Sequence, residues 1–387
     1  MTLLISGLYI ACMVLMVKLF VIAGSPSSIG SWLYSLFLVV IFSRMILTRR
    51  FSKYRRIGTS VFTLLFALSY IWTMVDNYGS ILLGEAAVLS GTIPFNPFLL
   101  PVLPLYLIFS RSLPFSAVIT GGVLSVTGLA LIWSMVAITI GKGWCSWVCP
   151  FGGYEDFFSR IRKKPLIHLD GFANRLHIFN TWFAAIVVLL SVLFLIPVYI
   201  YYLNPFSLIT GFYNTGGLIG LCITAFLIIL YICLVIILPY LTKKRFQCIS
   251  YCPLGALQNL ESRAACVRTV IDMDACDQCM KCVYECRFSA IDKSSIQSRK
   301  PMVLSSCAHC GECIEVCPNK AIRFEYSFVR SGTTKPSAQS RFARVVQSLI
   351  DPERVYVFSA FVFFVFFSSP FATDALNRII ACIGGLV

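Results

Sequence analysis

The chain has 387 residues, 58% of them hydrophobic and 13% charged, against about 25% charged in an ordinary soluble domain. These proportions exclude a soluble globular protein. Lys and Arg outnumber Asp and Glu by 32 to 17, a net charge of +15, but the basic residues stand between long apolar runs, so the excess reads as a membrane-topology signal and nucleic acid is not an expected partner.

A helix needs about 20 mostly apolar residues to cross roughly 30 Å of hydrocarbon. Seven segments approach that length, at approximately 3–23, 29–48, 57–76, 115–140, 177–203, 217–241 and 355–371. The first lacks a basic start and an A-x-A-like exit and is kept as a span, not a removed signal. Arg44, Arg49, Arg50, Lys53, Arg55 and Arg56 separate the second and third spans. Arg160, Arg162, Lys163, Lys164 and Arg175 separate the fourth and fifth, and Lys243, Lys244 and Arg245 follow the sixth. The alternate loops, 77–114 and 204–216, hold only Arg111. Basic loops stay on the cytoplasmic side, which places the cysteine-rich segment 242–354 there too and predicts a multi-pass protein of a bacterial inner membrane surrounded by lipid. Pro94, Pro97, Pro101 and Pro104 argue against one straight span in 77–114. Asp76, Glu85 and Arg111 are the few charges toward the outer side and read as solvated loop charges, with functional ionisable groups at the membrane interface as the alternative.

An internal repeat organises the middle of the chain. Gly143-Trp-Cys145-Ser-Trp-Val-Cys149-Pro-Phe-Gly152 and Phe246-Gln-Cys248-Ile-Ser-Tyr-Cys252-Pro-Leu-Gly255 each end a long apolar run, and Asn96-Pro97-Phe98 and Asn204-Pro205-Phe206 occupy the preceding outer loops. Both copies run the same way across the membrane, a parallel repeat. Cysteines four apart share a helix face, and a following proline ends the helix, so each pair is expected to cap an inner helix end. Cys145, Cys149, Cys248 and Cys252 would then offer four soft thiolates for an iron–sulfur cluster, zinc or copper(I). Packing pairs or reducible dithiols are the plainer alternatives.

Between the sixth and seventh spans the sequence reads Cys276-x2-Cys279-x2-Cys282-x3-Cys286, then Cys307-x2-Cys310-x2-Cys313-x3-Cys317-Pro318. In a run of this kind three close cysteines hold one 4Fe–4S cluster and the fourth crosses to the other. Cys276, Cys279, Cys282 and Cys317 are therefore assigned to one cluster, and Cys307, Cys310, Cys313 and Cys286 to the other. Paired zinc sites are the alternative. Arg287 stands where the first run would usually place proline. Such a module has little apolar core of its own, so cluster loading and folding are linked.

The fold class expected is a polytopic α-helical membrane protein of about seven spans with a parallel internal repeat, plus a cytoplasmic α+β bacterial two-cluster ferredoxin domain. The divisions are two N-terminal transmembrane helices in 1–56, the repeat body in 57–261, the ferredoxin domain in 262–326, and a linker with a C-terminal transmembrane helix in 327–387. Histidine occurs only at His168, His177 and His309, so a membrane haem held by paired histidines is not expected. His177 reads as interfacial and His309 as a cluster neighbour. Cys12, Cys222, Cys233, Cys266 and Cys382 have no motif partners and read as small apolar packing groups. No Rossmann fingerprint, P-loop or catalytic triad is visible.

The motifs Cys145-Ser-Trp-Val-Cys149-Pro150 and Cys248-Ile-Ser-Tyr-Cys252-Pro253, with the two ferredoxin runs behind them, resemble the NapH-type membrane iron–sulfur proteins and the C-terminal membrane half of NosR, over roughly residues 57–325. The resemblance implies an electron-transfer subunit that exchanges electrons among the quinone pool, cytoplasmic clusters and a periplasmic reductase system, or that supports metal-centre maturation. NosR-like proteins carry an exported flavin-binding domain where this sequence has two hydrophobic spans. Every recognised redox group lies on one side of the bilayer. Quinone, or a partner subunit bearing flavin or cytochrome, is therefore expected to complete the circuit, with the chain serving a respiratory complex as a component of a quinol dehydrogenase. The alternatives are a copper-binding or metal-reducing assembly factor using the C-x3-C-P cysteines, and a redox sensor, for which no effector domain is present.

Overall fold

A computed structural model describes residues 2–23, 28–78, 82–83, 117–119, 122–124, 126–168, 173–194, 198–210, 212–213, 217–299, 301–327 and 349–385. In chain order, α1 (Thr2–Val17) runs on through a π-helical turn, Lys18–Ile22, and is followed by α2 (Ile29–Thr48) and α3 (Phe51–Tyr78). Next come β1 (Leu82–Leu83), β2 (Ala117–Ile119), β3 (Gly122–Leu124), α4 (Val126–Thr139), α5 (Gly143–Trp147), α6 (Pro150–Ile161) and α7 (Ala173–Phe194). After a π-helical segment at Tyr199–Leu203 stand α8 (Ser207–Thr210), β4 (Phe212–Tyr213), α9 (Gly217–Tyr231) and, beyond a further π-helical stretch at Ile232–Ile237, α10 (Leu238–Thr242). Then follow α11 (Phe246–Ser250), α12 (Pro253–Glu261), β5 (Val267–Ile271), α13 (Lys281–Glu285), α14 (Lys293–Gln297), α15 (Glu312–Val316), β6 (Ile322–Tyr326) and α16 (Pro352–Ile383).

Among the described residues six helices are long and apolar enough to cross a membrane: Leu4–Ile22, Ile29–Thr48, Phe51–Asp76, Arg175–Phe194, Gly217–Thr242 and Pro352–Ile383. The expected span at 115–140 is not one helix. Its first part pairs as an antiparallel hairpin, Ile119 opposite Gly122, and α4 has only 14 residues, about 21 Å at 1.5 Å per residue. The physical reason lies in Val118, Ile119 and Gly122: β-branched residues beside a glycine favour paired extended segments over a helix. The seventh expected span is longer than its apolar run, because α16 continues through Pro370 to Ile383. Glu85, Arg111 and the turn Asn96-Pro97-Phe98 lie outside the described residues, whereas Asp76 is exposed near the end of α3.

The chain divides into two compact units. The first comprises residues 1–62, 135–149 and 261–387. In it α1 and α2 pack on α16. Phe42 lies against Phe361 with centroids 5.1 Å apart and Phe62 against Phe364 at 5.7 Å, while Tyr34 donates to Ser368 Oγ at 2.8 Å inside the contact. Gly30 lets α2 approach Asn377, whose Oδ1 accepts from Gly30 N at 3.0 Å. Small residues at such crossings let helices meet closely. The ferredoxin module closes on an antiparallel pair, Val267 opposite Tyr326 through Ile271 opposite Ile322. Its strand β5 alternates between buried and half-buried residues, the period of a strand covering a core on one face.

The second unit comprises residues 63–134 and 150–260. Phe206, from the Asn204-Pro205-Phe206 turn, is fully buried and meets Phe151 at 4.7 Å and Tyr231 at 5.8 Å. Asn204 forms the turn, its Oδ1 accepting from Phe206 N at 3.1 Å and its carbonyl from Ser207 N at 3.2 Å. That side-chain acceptor explains why asparagine opens the turn.

Gly311 and Gly217 both have positive φ, +77° and +59°. A Cβ at Gly311 would stand 2.3 Å from the Phe51 ring, whereas one at Gly217 meets nothing within 4 Å. Both substitutions to alanine incur the left-handed backbone cost of about 1–2 kcal/mol, but only Gly311→Ala also forces Phe51 aside. Thermal unfolding of the detergent-solubilised protein should therefore show a larger loss of stability for Gly311→Ala than for Gly217→Ala; equal losses would mean that Phe51 yields freely.

Candidate iron–sulfur centre

The eight ferredoxin cysteines lie on two stretches of matching backbone. The second run repeats the first at an offset of 31, Cys276 to Cys307. Gln278, Met280 and Ser289 are left-handed (φ 58°, 60° and 49°), and so are His309, Gly311 and Lys320 at the same offset (46°, 77° and 53°). The chain turns at each of these points, and a five-residue helix follows, α13 in one run and α15 in the other. The turns aim backbone donors at sulfur: Ala290 N donates to Cys286 Sγ at 3.2 Å, Ala321 N to Cys317 Sγ at 3.3 Å, and Gln278 N to Cys276 Sγ at 3.4 Å. Thiolate sulfurs of an iron–sulfur cluster are stabilised by such bonds, so this donor set fits the group.

The runs also interlock. Cys286 lies within electrostatic reach of Cys307, Cys310 and Cys313, while Cys282 interacts with Cys276 and Cys279. Yet among the described residues no three His, Cys, Asp or Glu side chains converge on a position for one ion. Burial pushes the Cys282 thiol up to about 11 and Cys307 up to about 12. Burial raises Cys310 and Cys313 too, with the Arg55 guanidinium acting in the opposite direction on Cys310. Metal-free thiols here stay protonated at neutral pH, so loading iron must release protons.

The first C-x3-C-P motif meets this module inside the first unit. Ser146 Oγ donates to the carbonyl of Ala308 at 2.6 Å and Trp147 Nε1 to that of His309 at 3.2 Å. Arg55, from the first turns of α3, donates to the Ser146 carbonyl at 2.7 Å, and Ser52 N to Glu315 Oε1 at 2.6 Å. Tyr356 of α16 completes the contact, 5.5 Å from His309 and 4.8 Å from Phe324 between ring centroids. Burial pushes His309 down to about 4, which keeps it neutral. His309 is thus a neighbour of the cysteine loop, as expected. His177 is buried in the first turns of α7. Lys142, wholly buried, stands 5.8 Å from the Phe288 ring centroid. Arg287 reaches Glu285 at 3.2 Å and Glu312 at 3.9 Å, joining the two cysteine runs.

The cysteine pairs do not sit on one helix face. Cys145 belongs to the five-residue helix α5, whereas Cys149 lies beyond its end and Pro150 opens α6; Cys248, Cys252 and Pro253 repeat this arrangement with α11 and α12. Proline is favoured in the first turn of a helix, where no N–H is needed, so it starts the next helix as well as ending the last. Cys12, Cys222, Cys233 and Cys382 are exposed on helices rather than packed inside, and Cys266 is half-buried.

In the second unit the Cys248 motif is held by a buried carboxyl group. Glu155 Oε1 accepts from Gln247 N at 2.6 Å and Oε2 from Cys248 N at 3.1 Å. Asp156 binds Arg245 at 3.1 Å and Arg160 at 3.0 Å. Gln247 donates to the Tyr199 hydroxyl at 3.1 Å, and Gly255 N donates to Cys252 Sγ at 3.3 Å. A Cβ at Gly255 would come 2.7 Å from the Cys248 carbonyl, so only glycine fits behind the motif. Burial, opposed by the Cys248 hydrogen bond and the Arg245 charge, pushes Glu155 up to about 7. Sequence reasoning passed over Glu155 and Asp156; the signal was two acidic residues in an otherwise basic loop.

A family model described as a 4Fe-4S binding domain matches residues 121–167 and 217–265, taking in both C-x3-C-P motifs, and one described as a 4Fe-4S dicluster domain matches residues 268–318. The ferredoxin-type protein NapH of Haemophilus influenzae is 26% identical over 298 residues, 73% of this chain and 92% of the relative. NapH of Escherichia coli K12 is 25% identical over 257 residues, 64% and 78% of the two chains. These matches support a membrane iron–sulfur protein similar to the NapH type. The methylamine utilization ferredoxin-type protein MauN of Paracoccus denitrificans is 27% identical over 183 residues, 47% of this chain and 61% of that one. No solved structure matches the chain. The apolar helices and the two 4Fe-4S family models fit a membrane helical part with a ferredoxin domain.

A carboxyl group raised on folding contributes stability while it is protonated, present below its ordinary range and lost as pH rises through its folded value. The thermal midpoint should accordingly fall as pH rises from the ordinary carboxyl range toward about 7, and Glu155→Gln should flatten that fall while lowering stability by about 1–3 kcal/mol for the N–H left without an acceptor. An unchanged slope in the variant would remove Glu155 as its source.

Proposed function

We propose that this chain carries electrons between a membrane-dissolved quinone, or a membrane-held redox partner, and two 4Fe–4S clusters on the cytoplasmic side of a bacterial inner membrane, as a subunit of a respiratory or related redox complex. Cys276, Cys279, Cys282 and Cys317 hold one cluster, and Cys307, Cys310, Cys313 and Cys286 the other. The observation that carries the reading is the pair of matching cysteine loops, with donors aimed at sulfur, the second of them bonded to the helix that bears Cys145. A cluster at these thiolates takes up and releases single electrons. The protein's part is to exclude water from the second loop, direct N–H groups at sulfur and hold the module against α5.

Cys145, Cys149, Cys248 and Cys252 are proposed as iron–sulfur ligands as well. The 4Fe-4S binding family model that takes in both motifs supports this choice over copper, which rests on the softness of the thiolates alone. A flavin- or cytochrome-bearing partner is proposed to complete the circuit across the bilayer, and the basic inner loops support the orientation.

Iron and sulfide analysis with EPR of anaerobically purified protein tests the reading. About eight irons are expected for the ferredoxin module, with an excess of about two to four that disappears in Cys145→Ala/Cys248→Ala if the motif cysteines bind a further cluster. The visible absorption should bleach reversibly with dithionite, and a quinol should reduce part of the same signal. Clusters that respond to no donor would overturn electron transfer, whereas response to dithionite but not quinol would leave the partner route in place of the quinone.

A further inference from the structure

The two cysteine loops have the same backbone but opposite surroundings. In the second, Ala308 is 1% and His309 5% exposed, and both carbonyls are taken by Ser146 and Trp147, themselves buried. In the first, Asp274, Ala275, Asp277, Cys279 and Lys281 are all exposed. Nothing in the cysteine spacing, which is identical in the two runs, demands this asymmetry. Arg55 strengthens it, since its guanidinium acts on Cys310 and bonds the carbonyl of Ser146.

We infer that the two ferredoxin sites are ordered: the site of Cys307, Cys310 and Cys313 is the inner terminal, facing α5 and the Cys145 motif, and the site of Cys276, Cys279 and Cys282 is the outer terminal, where a soluble one-electron carrier protein meets the chain at Cys279. Ser146, Trp147 and Arg55 are positioning residues that hold the inner loop against α5. Each transfer moves one electron: the outer site is oxidised as the carrier is reduced, and it is refilled as the inner site is oxidised. A cavity of about 490 Å³, lined by Thr269, Arg268, Cys307 and His309 among others, opens beside the inner site and admits a small molecule, but it is far too small for a protein. The order rests on the electron-transfer reading above.

The test uses dithionite-reduced full-length protein, freed of reductant and mixed with ferricytochrome c as a protein-sized acceptor, followed by stopped-flow absorbance and freeze-quench EPR. The outer site should be oxidised first. Cys279→Ala should slow electron delivery at least tenfold although the inner cluster is present by EPR, whereas Cys310→Ala should keep the fast phase. Fast delivery from Cys279→Ala, or loss of the fast phase only in Cys310→Ala, overturns the order. Trp147→Phe and Ser146→Ala, which leave all cysteines in place, provide an independent arm. They should shift the midpoint potential or EPR line shape of the cluster that persists in Cys279→Ala and leave the other unchanged; a shift confined to the other cluster, or shared equally, also overturns it. Clusters that cannot be reversibly reduced at all would overturn electron transfer itself, whereas reducible clusters emptied in the opposite order overturn only the assignment of terminals.

Discussion

Two carbonyl oxygens, those of Ala308 and His309, fasten the ferredoxin module to the helices of its unit, accepting from a serine and a tryptophan that lie between two cysteines of a different motif. A small cofactor-bound module has too little apolar core to fix its own orientation, because surface dominates volume at that size. Buried hydrogen bonds supply what the core cannot: their partners are held in one geometry, and losing either leaves a buried polar group unsatisfied. The residues that make these bonds are themselves fixed, Ser146 by its position in α5 and Trp147 by Tyr356, 6.2 Å away between ring centroids. Phe51, Ser52 and Arg55 at the start of α3 extend the same contact. The start of a spanning helix is thus also part of the cysteine environment.

This arrangement explains where the buried cations stand. Arg55 and Lys142 are 2% and 0% exposed, an expensive placement unless something negative is near. Thiolate-ligated iron–sulfur groups are anionic and become more so on reduction, and their potentials follow local charge, hydrogen bonding and exposure. A guanidinium that acts on Cys310 favours the charged sulfur and hence the loaded, reduced state. Arg287 occupies a position where ferredoxin runs usually carry proline, and it is used differently: its link to Glu285 and Glu312 ties the helix of one cysteine run to that of the other.

How much of this was legible in the sequence differs from element to element. The pairing of two matching cysteine loops was, because the same cysteine spacing recurs at a fixed offset. Most spanning helices were as well, because twenty apolar residues have few other solutions. The segment at 115–140 was misread: its mean hydropathy resembles that of a span, but helix formation depends on local propensity too, and Val118, Ile119 and Gly122 favour paired extended segments. The C-x3-C-P pairs were placed on one helix face by a periodicity that holds only within a helix, and the chain breaks between the two cysteines. The anchors Ser146, Trp147 and Arg55 carried no signal at all. Their partners are main-chain carbonyls about 162 residues away in the case of Ser146 and Trp147, and a carbonyl leaves no mark on composition or periodicity.

Glu155 illustrates the same limit from the other unit. Its neighbours in sequence are those of a basic inner loop, where a carboxylate would ordinarily be solvated, yet it is wholly buried and spends both oxygens on the backbone that presents Cys248. A carboxyl group in such a position costs several kcal/mol to desolvate, and its hydrogen bonds to Gln247 N and Cys248 N offset part of that. The five-residue helix α11 has no hydrogen-bonding side chain at its own N-cap, Arg245, so Glu155 supplies the acceptor from a distant helix. Both C-x3-C-P motifs therefore depend on groups outside themselves: α5 is bonded by Arg55 and by the cysteine loop it faces, and α11 by a carboxyl group from α6. Five-residue helices cannot hold themselves in water or in lipid, and the cysteines they present are fixed only as firmly as these external partners allow.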